Sequence, residues 1–105
     1  MIVVSYGSRQ LADQCTKLEV AQERFGPTDA QALVDLMAEL EAFENVADMI
    51  SFREAAVESD RLTVAFSPKF QAVFKSVDPK VARDVNDRPS WEQVRRILLV
   101  DIKEL

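Results

Sequence analysis

The hydrophobic positions predict a short strand followed by a helix. Residues 2–6, Ile-Val-Val-Ser-Tyr, are typical of a strand, which Gly7 ends. Ser8 is a favourable helix N-cap because its hydroxyl accepts from a free backbone amide, and Gly26 is typical of a helix end. Between them, apolar residues recur every three or four positions and predict one amphipathic helix: Leu11, Cys15, Leu18, Ala21 and Phe25.

A second amphipathic helix follows directly. Thr28 and Gln31 have the spacing of a capping box, in which each side chain satisfies the other residue's backbone amide. The core-facing series of this helix is Leu33, Leu36, Met37, Leu40 and Phe43. Because Gly26 and Pro27 separate the two helices, the pattern predicts an antiparallel helix hairpin that packs its apolar stripe on a sheet.

The periodicity weakens after the second helix and then returns as alternation. We predict that residues 47–50 extend the turn after the helix and that residues 51–53 form a short strand. Residues 61–66 and 70–75 alternate between apolar and polar positions and are joined by a Ser-Pro-Lys turn. This pattern predicts a β-hairpin with one packed face.

The last segment predicts a loop and a strand in the sheet interior. Residues 78–90 are polar and predict an exposed loop with a short helical turn at 81–84. The apolar run 97–100 suits a strand covered on both faces, hence a central one. The order β-α-α-β-β-β predicts one α+β domain over residues 1–105, with an N-terminal strand, a two-helix hairpin and a mainly antiparallel sheet.

The composition excludes several kinds of chemistry. The chain has no histidine, which excludes Ser-His-Asp and Cys-His centres and histidine-containing zinc sites. It has only two glycines, Gly7 and Gly26, which are too few for a GxGxxG motif and too far apart for a P-loop. The single cysteine, Cys15, cannot form an internal disulfide and is expected to be a buried structural thiol. We therefore expect neither a metal site nor a cofactor.

The charge is unevenly distributed. Against 13 basic groups there are 18 acidic ones, and the formal net charge is −5, which argues against strong non-specific binding to nucleic acid. Residues 1–58 carry a net −7 and residues 59–105 a net +2, so we expect solvated acidic helices and a mildly basic strand region. There is no long apolar run and no basic, apolar leader at the start, which predicts a cytoplasmic protein that does not enter membranes.

Short segments in a consistent order carry a resemblance that covers nearly the whole chain. They are Ser8-Arg9-Gln10-Leu11, Arg24-Phe25-Gly26-Pro27, Asn45-Val46-Ala47-Asp48-Met49, Ser59-Asp60-Arg61 followed by Leu62-Thr63-Val64, Ser67-Pro68-Lys69-Phe70, and Trp91-Glu92-Gln93-Val94 leading into Arg96-Ile97-Leu98-Leu99-Val100-Asp101. This arrangement resembles the RelE/ParE superfamily of bacterial toxins, and within it the HigB-like branch, the plasmid-maintenance killer proteins.

The resemblance implies the toxin of a type II toxin–antitoxin system, held inactive by a cognate helix-turn-helix antitoxin. Such toxins commonly act as metal-independent endoribonucleases (mRNA interferases) that cleave mRNA on the ribosome, so growth inhibition through translation is the expected function. Since related toxins inhibit gyrase instead, the alternative is a toxin-fold protein that acts by protein–protein contact with an antitoxin, gyrase or another target. A non-toxic relic or antitoxin decoy is a third hypothesis.

The family's catalytic pattern is only partly present. RNA cleavage without a metal needs a base for the 2′-hydroxyl, an acid for the leaving oxygen and positive charge at the phosphate. Where the HigB-like strand closes with Asp-Tyr-His, this sequence has Asp101-Ile102-Lys103. Gln71 stands where the resemblance implies an arginine, and Arg53 where it implies a histidine.

The remaining polar residues define a candidate site. The catalytic candidates are Lys103, Asp101 and Arg61, and the RNA-binding candidates are Arg53, Lys69, Lys75 and Arg95. Strand alternation predicts that Arg95, Asp101 and Lys103 share one side of the last strand. The alternative interpretation is a solvated sheet edge whose lysines prevent strand-to-strand aggregation.

Overall fold

The strands form one mixed sheet in which the first strand lies beside the last. In the computed structural model, which describes residues 1–78 and 89–105, the sheet order is β1 (Val3–Tyr6), β5 (Arg96–Glu104), β4 (Phe70–Ser76), β3 (Arg61–Ala65) and β2 (Ala56–Glu58). β1 runs parallel to β5, and the other three pairs are antiparallel. The α+β class predicted from the sequence is confirmed.

The first predicted helix is in fact two. The described residues contain four helices, which are α1 (Arg9–Thr16), α2 (Leu18–Phe25), α3 (Pro27–Ala42) and α4 (Val46–Arg53). Lys17 separates α1 from α2 with extended backbone angles, φ −121° and ψ 108°. The Thr16 hydroxyl donates to the Ala12 carbonyl at 2.7 Å, a side-chain bond that bends helices. Consequently Leu18 is 42% exposed, although the apolar pattern placed it on the core face.

The capping box predicted at Thr28 is wrong. Gly26 is the N-cap of α3, with φ 87°, and Pro27 is the first helical residue. Because proline already has a helical φ and lacks the amide that a first-turn residue leaves free, the helix starts ahead of Thr28. Gln31 instead donates from Nε2 to Asp35 Oδ1 at 2.9 Å, one turn along the helix. The cap at the start of α1 is confirmed, since Ser8 Oγ accepts from the Leu11 amide at 3.2 Å.

The strand predicted at residues 51–53 is also wrong, because these residues end α4. Asn45 caps this helix, its side-chain oxygen accepting from the Asp48 amide at 3.0 Å, and Val46 and Met49 are buried. The helix stops at Glu54, which has left-handed angles, and the additional strand β2 follows. A good N-cap and two buried apolar side chains thus form a helix where the periodicity was weak.

The helices cover one face of the sheet. Leu33, Leu36 and Leu40 of α3 are fully buried in one core with Leu62, Val64, Phe74, Ile97 and Leu99 of the strands. The other face carries the alternate residues of β3, β4 and β5, and we call it the open face.

The interior position of β5 is confirmed by the sheet order. Its predicted full burial on both faces is wrong, because Leu98 and Val100 remain partly exposed. The β-hairpin of β3 and β4 is confirmed, with Phe70, Ala72 and Phe74 buried. The helical turn predicted at 81–84, and most of the loop around it, lie outside the described residues. Within the described ranges no helix is both long and apolar enough to cross a membrane.

Candidate functional site

A β-bulge decides which side chains of β5 reach the open face. Val73 of β4 lies opposite Asp101, but the next residue, Phe74, lies opposite Leu99. One residue of β5, Val100, is therefore left over between the two pairs. As a result Leu99 and Ile102 are both buried in the core although they are three positions apart, and Asp101 and Lys103 are exposed.

The open face contains a cavity of about 480 Å³ beside the β2–β3 turn. Its lining residues come from four strands and the turn, and they are Ala56, Val57, Glu58, Ser59, Asp60, Arg61, Thr63, Gln71, Val73 and Lys103. Two of the predicted catalytic residues, Arg61 and Lys103, line this cavity together. Gln71, which lies opposite Lys103 in the β4–β5 pair, also lines the cavity.

The cavity also contains carboxylates that were not predicted as site residues. Glu58 lies opposite Arg61 in the β2–β3 pair, and Asp60 precedes Arg61 in the turn. Ser59, the other turn residue, has a left-handed backbone with φ 56°. β2 is a three-residue strand without alternating burial, so nothing in the sequence pattern showed that Glu58 faces this site.

Asp101 is separated from the other two catalytic candidates. Its Oδ1 accepts a hydrogen bond from the Ile102 amide at 2.8 Å. The residue lines a smaller cavity of about 130 Å³ that α1 and α2 close with Gln10, Gln14 and Arg24. The reason is that β1 ends at Tyr6, opposite Leu99, so helices rather than a strand border the last residues of β5. The predicted set of Lys103, Asp101 and Arg61 is thus divided between two cavities.

Two of the four predicted RNA-binding residues are held by contacts elsewhere. Arg53, at the end of α4, donates from Nε to Glu39 Oε2 at 2.6 Å and forms an ion pair with the same carboxylate. Arg95 precedes β5, and its Nη1 donates to the Glu92 carbonyl at 2.8 Å. The prediction that Arg95, Asp101 and Lys103 share one side of a strand is wrong, because Arg95 lies outside β5 and the bulge shifts the alternation.

The other two predicted RNA-binding residues, Lys69 and Lys75, lie outside the lining of the open-face cavity. Lys69, in the β3–β4 turn, lines a separate cavity of about 400 Å³ with Phe25, Pro27 and neighbouring residues. Lys75 is on the open face, directly opposite Arg61 in the β3–β4 pair. Lys75 therefore extends the positive charge of the open face beyond the cavity, whereas Lys69 belongs to another region.

The buried cysteine and the single tyrosine lie away from this cavity. Burial raises the pKa of the Cys15 thiol from 9.0 to about 12, so the thiol stays protonated at neutral pH. The expected buried structural thiol is confirmed, since Cys15 is 6% exposed. Burial first, and then Cys15 and Glu41, raise the pKa of Tyr6 above 10.0. Among residues 1–78 and 89–105, no group of three or more Cys, Asp and Glu side chains is arranged to hold a metal ion.

No protein-family model, curated protein or solved structure matches this chain. Membership of the RelE/ParE superfamily therefore stays a prediction from the segments quoted above.

Proposed function

We propose that this chain is the toxin of a type II toxin–antitoxin system, a HigB-like member of the RelE/ParE superfamily that inhibits growth by ribosome-associated mRNA cleavage. The observation that carries the proposal is that Arg61 and Lys103, far apart in the sequence, line one cavity on the open face. The order of the elements, a strand and helices followed by a hairpin and a last strand, supports it as well. A cognate helix-turn-helix antitoxin is the partner that this function requires.

The residues of the cavity suit metal-independent cleavage. Arg61 and Lys103 hold the scissile phosphate and stabilise the charge that develops on it. A carboxylate of the cavity, Glu58 in our proposal, takes the proton of the 2′-hydroxyl, whose oxygen then attacks phosphorus. Lys103 donates a proton to the 5′-oxygen as the P–O5′ bond breaks, leaving a 2′,3′-cyclic phosphate and a 5′-hydroxyl.

The charge balance of the cavity favours cleavage on the ribosome over cleavage of free RNA. Glu58 and Asp60 offset the charges of Arg61 and Lys103, and the chain as a whole carries −5. A protein holds free RNA chiefly through lysine and arginine groups that neutralise the phosphates. In this cavity those groups are offset by carboxylates. A ribosome that presents the mRNA strand would replace that missing binding energy by positioning the reacting groups.

The test is an mRNA cleavage assay with purified protein and ribosomes, combined with growth after induction. The double variant Arg61→Ala/Lys103→Ala is expected to lose both cleavage and toxicity. The matched control, Lys17→Ala/Lys69→Ala, removes the same number of charges outside the open-face cavity and is expected to retain both. Unchanged toxicity of the Arg61/Lys103 variant would exclude this site.

A second function, inhibition by protein–protein contact without cleavage, is favoured by one specific observation. The place where the family closes its last strand with Asp-Tyr-His holds Asp101, which faces a different cavity from Lys103. Toxicity without any RNA cleavage in the ribosome assay would support this second function. Absence of both toxicity and cleavage would instead indicate a relic or an antitoxin decoy.

A further inference from the structure

An aromatic pair is exposed on the helical side of the molecule. Phe52, near the end of α4, is 66% exposed, the largest exposed fraction of any aromatic side chain in the described residues. Its ring lies 5.7 Å from the ring of Phe43, which follows α3 and is itself half-buried. Aromatic side chains that project in this way commonly mark protein-binding surfaces, since burying one is worth far more than burying a polar side chain.

The surroundings of this pair are acidic. Residues 27–54 carry seven acidic groups and one basic group, a net −6, while the rest of the chain carries a net +1. Glu44 is adjacent to Phe43, and Asp48 lies one helical turn before Phe52 on α4. The one basic group, Arg53, is already paired with Glu39. The field around the aromatic pair is therefore negative.

We propose that Phe43 and Phe52, with Glu44 and Asp48 beside them, form a docking surface for a positively charged, amphipathic segment of a partner protein. The apolar face of the segment covers the two rings, and its lysine or arginine side chains meet the carboxylates. Charge complementarity selects this occupant, because an acidic or nucleic-acid partner would be repelled by the net −6 of residues 27–54. We call it the aromatic–acidic surface.

This surface is distinct from the open-face cavity. The apolar side chains of α3 and α4 pack on the core face of the sheet, whereas the cavity lies on the opposite face. A partner can therefore occupy the aromatic–acidic surface while the cavity stays accessible. The inference does not rest on the proposed RNA cleavage, and a binding assay without RNA or ribosomes tests it separately.

The experiment uses two synthetic amphipathic helical peptides of about 18 residues, roughly five helical turns. Both have leucine on one face, and the polar face carries lysine in one peptide and glutamate in the other. Binding of the labelled peptides to the full chain is followed by fluorescence anisotropy. We expect the lysine peptide to bind and the glutamate peptide not to bind. Phe52→Ser should weaken binding at least about tenfold, the loss typical of an interface anchor.

Matched variants separate this surface from general charge attraction. Leu105→Ser removes another exposed apolar side chain, 64% exposed, and should leave affinity unchanged. Glu44→Lys should weaken binding clearly more than Glu23→Lys, which reverses an exposed charge on α2. Circular dichroism confirms that each variant is folded. Equal affinity of wild type and Phe52→Ser, equal effects of the two charge reversals, or equal binding of the two peptides would each overturn the proposal.

Discussion

Asp101 lies directly opposite Val73 in the β4–β5 pair, whereas Phe74, the residue after Val73, lies opposite Leu99 and not opposite Val100. The residue left over, Val100, shifts the alternation of everything that follows it in β5. Because of this shift Ile102 packs in the core and Lys103 reaches the open-face cavity. The bulge is thus the local feature that permits Lys103 and Arg61 to share a site.

Deleting Val100 tests whether it is the extra residue of the bulge. Without it, Leu99 and Ile102 are two positions apart, so regular alternation keeps both in the core and keeps Lys103 on the open face. We therefore expect the deletion to cost no more than about 1 kcal/mol of unfolding free energy. The comparison is an alanine inserted between Asp101 and Ile102, which turns Ile102 toward solvent and Lys103 toward the core and should cost at least about 3 kcal/mol. Urea denaturation followed by circular dichroism measures both, and similar stability of the two variants would contradict the register argument.

Asp101→Asn is expected to leave ribosome-dependent cleavage within about twofold of wild type, well short of the roughly hundredfold loss typical of a removed general acid or base. The amide oxygen of asparagine can still accept from the Ile102 amide, so the fold is retained. Glu58→Gln, by contrast, removes the proposed base and should lose at least about a hundredfold in rate. Comparing the two initial rates under the same conditions separates the roles. A loss in Asp101→Asn as large as that in Glu58→Gln would restore Asp101 to the site.

The Arg53–Glu39 pair is expected to stabilise the helices and to have no role in RNA binding. Both side chains are about three-quarters buried, with 25% and 28% exposed. Arg53→Ala should therefore cost about 1 kcal/mol, toward the upper end for partly exposed ion pairs. The comparison is Lys17→Ala, which removes the more exposed Lys17–Asp13 pair and should cost only about 0.3 kcal/mol. A double-mutant cycle with Glu39→Ala measures the coupling, and RNA cleavage by Arg53→Ala should be unchanged.

Stability should fall in alkaline solution because of Cys15. Burial raises the pKa of its thiol from 9.0 to about 12, so above pH 9 the folded state keeps a proton that the unfolded state has lost. The unfolding free energy contributed by this thiol is then fully present below pH 9 and is lost progressively as pH rises toward 12. Tyr6, whose pKa is also raised, acts in the same direction above pH 10.

The measurement for Cys15 is the unfolding midpoint at a series of pH values between 7 and 11. Cys15→Ala removes the titrating thiol, so its stability should decline less steeply than that of wild type. The decline in stability that remains in Cys15→Ala is due to Tyr6 and other titrating groups. Parallel curves for the two proteins would show that the thiol does not couple ionisation to folding.

The sequence by itself determined the elements whose signals are local. Ser8 and Gly26 mark helix ends because a side-chain hydroxyl and a left-handed backbone act within one turn, and alternation in residues 61–75 specifies a hairpin with one packed face. It also identified Arg61 and Lys103 as site candidates. The break at Lys17 escaped it, because the apolar period runs through that position without change. The start of α3 at Pro27 escaped it because Thr28 and Gln31 have the spacing of a capping box, which indicated a later start.

Only the tertiary structure decided which candidates meet. The register of β4 against β5 depends on contacts between strands, so the extra residue Val100 cannot be recognised in the sequence of β5 alone. That register brings Lys103 to the cavity of Arg61, while the short length of β1 leaves Asp101 beside α1 and α2. Likewise the partner of Arg53 is a carboxylate 14 positions earlier on another helix. The sequence specifies which charges exist, and the packing of the strands and helices specifies which of them act together.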